Sequence, residues 1–407
     1  MPASDAPIED LRGARNLPRW FSLVFSVLKR IEKGCIDVRL PDGRVFRAQG
    51  HLPGPYGLIE CHDNRTWAKT VRDGARIGFA EAYVEGFWST PDLHGVLDAG
   101  MLNNEQIARK LVSGKLIKMF ERFRHWLRSN TRFGSKRNIM AHYDLGNEFY
   151  RIWLDGTMTY SSALYTGDMQ PLETAQANKY GALCDAMEIA PDQKVLEIGC
   201  GWGGFAEYAA KERGAHVTGI TLSPAQLEYA RERVFRAGLN ERVSLELRDY
   251  RDERGKYDRV ASIEMFEAVG EKYWPIYFES LRERLVDGGR AGLQVITISD
   301  ELFDGYRRSV DFVQKHIFPG GMLPSRVALR REAERAGLQW SSSTEFGGDY
   351  STTLREWSAN FNDRWGQIAP LGFDERFKRL WNFYLASCAA CFLAKTTDVT
   401  QVSLIRT

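Results

Sequence analysis

The stretch Val195-Leu-Glu-Ile-Gly-Cys-Gly-Trp-Gly-Gly204 limits the fold more than any other part of the chain. Apolar Val195, Leu196 and Ile198 surround one acid, Glu197, and glycines follow at 199, 201, 203 and 204. Phe205 to Ala210 then reads as helix. A strand therefore runs into a glycine turn that opens a helix, where glycine lets the backbone bend tightly and a ligand come close. The spacing G-x-G-x-G-G is not the dinucleotide pattern G-x-G-x-x-G. Alone it is equally a tight turn, so the downstream segments decide. His216–Leu222, Ser244–Tyr250, Asp258–Ile263 and Gly292–Ile298 read as further strands. Between the first and second of these strands, Ser223, Pro224 and Gln226 open a helix with a capping box, and Gly238 suits its stop. Strands alternating with helices predict an α/β, doubly wound Rossmann-like sheet with ligands at the carboxyl ends of its strands.

This order of motifs resembles the class I S-adenosylmethionine-dependent methyltransferases, whose first motif corresponds here to Glu197, Gly199, Gly201 and Gly203. A more specific resemblance spans nearly the whole chain. His142-Tyr-Asp-Leu-Gly-Asn-Glu-Phe-Tyr150, Met158-Thr-Tyr-Ser-Ser-Ala163, Phe318-Pro-Gly-Gly-Met-Leu-Pro-Ser325 and Phe346-Gly-Gly-Asp-Tyr350 are similar to segments of cyclopropane-fatty-acid synthase and its mycolic-acid relatives. The resemblance implies S-adenosylmethionine as cofactor. Gly199 and Gly201 suit close backbone approach, and Tyr160 and Ser161 resemble residues that close over the cofactor. Thr221, Leu222 and Gln226 match the segment after the second strand, where many methyltransferases carry an acid for the ribose and this chain carries Thr221. Asp249 and Tyr250 match the adenine side, and Ile263 ends the fourth strand against the cofactor. The capping role of Gln226 and a packing role for Tyr250 are the bland alternatives.

The acceptor implied is the double bond of an unsaturated phospholipid acyl chain. An alkene is a poor nucleophile, so catalysis must rest on positioning and on electrostatic stabilisation of a carbocation. Tyr350 and Glu267 match active-site positions of the family. The family's base is a bicarbonate held by Cys, Glu, His and Tyr side chains and an Ile backbone group. The corresponding residues are Ser162, Glu267, Gln294, Tyr350 and Ile296, so the Cys and the His are both replaced. Glu264 is an additional acid at a position where the better-known cyclopropane enzymes carry a small residue. Bicarbonate held less tightly, or a protein group in its place, are the two expectations. No metal is expected.

The 407 residues suffice for two or three domains, and the formal net charge of +2 singles out no partner. No apolar run reaches the length of a membrane span, and the acidic first ten residues lack the apolar core of a secretory signal. Six scattered cysteines suit a cytoplasmic chain with free thiols; Cys388-x-x-Cys391 lies in an apolar helical stretch and reads as structural. Residues 1–106 are expected to form a small lipid-associating α+β domain, with a strand at Cys35–Leu40, a turn at Pro41–Arg44, a helix at Phe79–Trp88 and another starting at Asp92. Residues 107–140 are expected to be a basic amphipathic linker. Between 109 and 137 only Glu121 opposes a run of Lys and Arg interleaved with Phe120, Phe123 and Trp126, a pattern drawn to anionic membrane surfaces; nothing supports nucleic acid. Residues 141–407 are expected to form the methyltransferase domain, with an insertion near 299–345, a helix from about 325 to 337, and the remaining strands from Leu338–Ser343 and residues near Tyr350. Trp357, Phe361 and Trp365 recur at helical spacing and read as core.

The expectation is thus a cytoplasmic enzyme, peripheral on the inner face of the membrane and with a homodimer left open. It would methylate unsaturated phospholipid acyl chains to a cyclopropane or a methyl-branched unsaturated chain. A methyltransferase for a small soluble acceptor and a non-catalytic lipid-binding relic are the rivals, since fold does not fix function.

Overall fold

The computed structural model describes residues 7–111 and 145–407. The basic segment beyond residue 111 and the start of the His142–Tyr150 motif lie outside the described residues. Contacts divide the rest into two compact units.

The first unit holds the described residues up to 111 together with Ser309–Lys315 and Ala369–Ala394. Its strands are β1 (Lys33–Arg39), β2 (Val45–Gln49), β3 (Leu52–Cys61) and β4 (Trp88–Ser89), in the order β2-β1-β3-β4. The turn expected at Pro41–Arg44 joins β1 to antiparallel β2, with Gly43 N–H donating to Leu40 O at 2.9 Å. Asp92 caps the helix Leu93–Leu102 through Gly95 N–H. The helix expected at Phe79–Trp88 runs instead from Ala75 to Val84, and Trp88 begins β4. The C-terminal helix Glu375–Leu393 also belongs to this unit, although the sequence suggested one domain over 141–407. The reason is packing: Phe383 meets Tyr83 and Phe312, with ring centroids 5.8 and 4.9 Å apart, and helices 75–84 and 93–102 cover the helix's apolar face. All six cysteines are free.

The second unit is the wound sheet. Its strands are β5 (Lys194–Ile198), β6 (His216–Thr221), β7 (Val243–Leu247), β8 (Tyr257–Ile263), β9 (Leu285–Ile298), β10 (Leu338–Glu345) and β11 (Thr397–Arg406), in the order β10-β11-β9-β8-β5-β6-β7. Strands β5 to β9 are parallel, and β11 runs antiparallel between β9 and β10. Central β5 is buried on both faces, so apolar Val195, Leu196 and Ile198 do not alternate with exposed residues and even Glu197 among them is buried. The order reverses beside β5, so its glycine turn opens at a switch point of the sheet.

Two expectations for this unit need correction. Tyr350 lies in the helix Gly347–Asp363, not in a strand, and the last strand is β11 at the C-terminus. Asp398 Oδ1 accepts from Gly347 N–H at 2.7 Å, so the start of that helix is fastened to β11. Trp357 and Phe361 are fully buried in the core. The helix expected near 325–337 spans Arg326–Arg335 and is capped by Ser325.

Candidate active site

The carboxyl ends of β5, β6 and β8 enclose a cavity beneath the segment Met158–Ser161. Its lining includes Tyr160, Ser161, Glu197, Gly199, Gly201, Thr221, Leu222, Gln226, Tyr250 and Ile263. Asp249 is outside that lining: its carboxylate takes the Arg251 guanidinium at 2.8 Å and the Arg251 N–H at 3.0 Å. Residues the sequence reading passed over, among them Trp202, Arg248 and Met265, line the cavity too.

The glycine turn is shaped by backbone sterics. Gly199 has φ +84°, and a Cβ there would come within 2.8 Å of Met265 Cγ. Gly201 has φ +51° and nothing within 4 Å of where its Cβ would be. The first glycine is thus required by crowding and conformation, while the second leaves open space for a ligand. Trp202 Nε1 donates to Asn147 Oδ1 at 2.8 Å and so ties the turn to the helix Asn147–Trp153. At the end of β6, Thr221 Oγ1 lies 3.0 Å from Gln226 Oε1 and accepts from Ser223 N–H, while Ser223 Oγ accepts from Gln226 N–H. Gln226 is therefore both a cap residue and an oriented amide beside the cavity. Glu197 is buried, its Oε2 has no hydrogen-bond partner, and burial pushes its carboxyl up to about 8. An open glycine cradle and an orphaned buried acid fit a ligand with a cationic amino-acid end.

At the wall of this cavity, which Glu264 also lines, the residues matched to an anion site converge on one side chain. Glu264 Oε1 accepts from Ser162 N–H at 2.8 Å and Gln294 Nε2 at 2.8 Å, and its Oε2 accepts from Tyr350 Oη at 2.9 Å. Gln294 is itself oriented, because Gln401 Nε2 donates to its Oε1 at 3.0 Å. Ile296 N–H donates to Glu267 Oε1. The Ser162 hydroxyl turns away and donates to Ala163 O at 3.0 Å. The five residues aligned with a bicarbonate site are thus brought together, but a carboxylate of the chain sits among three of them.

Glu264 also has φ +49°, a left-handed conformation that costs a non-glycine residue about 1–3 kcal/mol. Strain of that kind is kept where the surroundings over-determine it, and three hydrogen bonds do so here. Burial raises the Glu264 carboxyl; the Gln294 amide, the buried Lys179 and the Ser162 N–H oppose the rise. Glu267 is pushed up to about 8 by burial and by Glu264 beside it, and its Oε2 is unpartnered. Aromatic rings wall the site: Tyr160 lies 5.2 Å from Trp357 and 5.3 Å from Tyr150 between centroids, and Tyr350 lies 5.9 Å from Trp357. Such faces suit a cation. Among the described residues no cluster could hold a metal ion.

A family model described as mycolic acid cyclopropane synthetase matches residues 130–402. The chain belongs to this family. It is 39% identical over 358 residues to the tuberculostearic acid methyltransferase UfaA1 of Mycobacterium tuberculosis, covering 83% of this chain and 81% of that one. It is 32% identical over 397 residues to the cyclopropane-fatty-acyl-phospholipid synthase of Escherichia coli, covering 92% and 97%. The crystal structure of the mycolic acid cyclopropane synthase CmaA1, complexed with SAH and CTAB, superposes with a TM-score of 0.63 at 29% identity, covering 66% of this chain and 98% of that one. The protein is therefore an S-adenosylmethionine-dependent methyltransferase of the cyclopropane synthase family.

Proposed function

We propose that the enzyme methylates the double bond of an unsaturated acyl chain of membrane phospholipid, that Glu264 takes up the departing proton, and that the product is a methyl-branched unsaturated chain. The bond-forming cofactor, when bound, supplies an electrophilic methyl group. Gly199, Gly201, Thr221 and Gln226 would hold it, with Tyr160 and Ser161 above. Tyr160, which lines the cavity, would present its ring to positive charge developing on the acceptor chain, with Trp357 packed against Tyr160 and Tyr350 against Trp357. The rest is proton traffic: once a carbocation forms on the chain, an adjacent C–H bond breaks, its electron pair closes the alkene and Glu264 Oε holds the proton.

The observation that carries this reading is the Glu264 carboxylate bonded to Ser162, Gln294 and Tyr350. A free bicarbonate would need those same donors. A tethered carboxylate does not place its oxygens where a free anion would, and a displacement of roughly an ångström decides which C–H lies nearest. The names of the relatives support acyl-lipid acceptors. The basic aromatic segment at 109–137 remains the part expected to meet an anionic bilayer, and residues 1–106 the part expected to assist there.

The test is gas chromatography with mass spectrometry of acyl esters. Dioleoylphosphatidylglycerol vesicles would be incubated with labelled methyl donor in buffer stripped of carbon dioxide. Branched unsaturated product made without bicarbonate is expected. A cyclopropane as sole product, dependent on added bicarbonate and indifferent to Glu264→Gln, would overturn the reading.

A further inference from the structure

Lys179 has no part in the chemistry described so far, yet it lies fully buried in the helix Leu172–Ala186. Its Nζ donates to Ser161 Oγ at 2.7 Å and sits 4.4 Å from the centroid of the Tyr180 ring. A hydroxyl and a ring face are little compensation for a buried ammonium, which calls for an opposite charge nearby. The next residue along the chain supplies the link. Ser162 N–H donates to Glu264 Oε1 at 2.8 Å. The dipeptide Ser161–Ser162 thus stands between a buried cation and a buried carboxylate. Gln176 fixes the same dipeptide by donating Nε2 to Ser161 O at 3.0 Å. Gln401 Nε2 lies 3.0 Å from both Lys179 O and Gln294 Oε1, so the two ends of the pair share one scaffold.

We propose that Lys179 is a positioning residue for the base, its ammonium serving as the fixed counter-charge of Glu264 through the Ser161–Ser162 dipeptide. The proposal rests on Glu264 being the base. Lys179 feels Glu264, Asp155 and Glu197, and Glu264 feels Lys179, the Tyr350 hydroxyl and the neighbouring Glu267. Burial draws Lys179 down and drives Glu264 up, while each charge restrains the other's shift. Without the ammonium, Glu264 would keep its Gln294, Ser162 and Tyr350 hydrogen bonds but lose the charge that opposes burial, and its carboxyl would rise further and hold its proton more tightly. A carboxylic acid that already holds its proton cannot accept another.

The experiment follows the Glu264 carboxyl by infrared difference spectroscopy against pH, with its band assigned by its loss in Glu264→Gln. Rate–pH profiles on dioleoylphosphatidylglycerol vesicles are taken alongside. In Lys179→Met the Glu264 midpoint should rise by about one pH unit or more, and the acid limb of the rate profile should move the same way. Lys179→Arg should return both towards the wild-type positions. Circular dichroism and cofactor calorimetry check each variant's fold and binding. If Lys179→Met does not fold, Ser161→Ala, which unhooks the ammonium but keeps its charge, should still move the midpoint. An unmoved midpoint in the folded variant overturns the proposal. Full activity of Glu264→Gln would instead sink the base assignment, while the infrared titration would still decide the pair.

Discussion

The two sides of the active site are built on opposite principles. The cofactor side is made by backbone: Gly199 and Gly201 at positive φ, one turn after β5, with open space at Gly201. The base side is assembled from four places distant in sequence, the Ser162 N–H and the side chains of Glu264, Gln294 and Tyr350, all buried or nearly so and all hydrogen-bonded. A backbone site is encoded locally and tolerates variation around it. A side-chain site depends on partners distant in sequence, and changing two of them, Cys to Ser and His to Gln relative to the family pattern, can change its chemistry without touching the fold. Binding and proton transfer should therefore be separable by mutation.

Glu264→Gln should give the largest effect. It keeps the side chain's size but removes the proton acceptor, so turnover should fall by about 10²–10⁴-fold, with cofactor affinity within a few-fold of wild type. Single-turnover kinetics and calorimetry read the two separately; an equal loss in both would dissolve the separation of the sides. The remaining turnover of the wild type should also decline on acidification sooner than an ordinary carboxylate would dictate, because the Glu264 carboxyl is raised and the ionised form is the acceptor.

A stability slope comes next in size. Glu197 is raised from 4.5 to about 8 by burial, so the native state prefers it protonated. The stability it contributes is full below its unfolded pKa and is lost as pH rises towards 8, by up to about 1.4 kcal/mol per pH unit. Urea unfolding of Glu197→Gln between those pH values should show a shallower decline than wild type; parallel slopes would mean the acid is solvated after all.

Gly201→Val sharpens the comparison from the other side. A branched side chain at φ +51°, in the open space of the cradle, should weaken S-adenosylmethionine binding at a cost of about 1–3 kcal/mol, roughly 5- to 150-fold. Calorimetry measures it, and unchanged affinity in a folded variant would remove the cradle from the cofactor site. The smallest effect is expected at Ser223→Ala, which deletes the cap on Gln226 N–H. It should cost about 1 kcal/mol of stability by denaturant titration, with a modest loss of cofactor affinity through Gln226.

What the sequence disclosed follows the same division. The strand, glycine turn and capped helix from Val195 to Arg236 were legible because each signal is local: apolar run, glycines, Ser-Pro-x-Gln. The base-side residues were legible only as a set matched by resemblance. That Glu264 lies at their centre was not, because its partners are 102, 30 and 86 residues away. Asp249 was assigned to the adenine side by its place after the third strand, but Arg251, two residues on, takes its carboxylate. Lys179 carried no signal at all, since a lysine on a helix reads as exposed until the helix is packed. The C-terminal strand escaped for a different reason: Thr397–Arg406 alternates too weakly to stand out, and its register is imposed by β9 and β10 on either side.

The left-handed backbone at Glu264 reaches beyond the active site. Glycine is the residue for which φ +49° carries no penalty, so Glu264→Gly relaxes the turn while emptying the place among Ser162, Gln294 and Tyr350. On the proposed reading such a variant should answer to added bicarbonate and the wild type should not. An enzyme that carries its own anion on a strained residue trades some backbone ease for independence from the dissolved carbon dioxide around it, and its output would then follow membrane composition and methyl-donor supply rather than the gas balance of the cell.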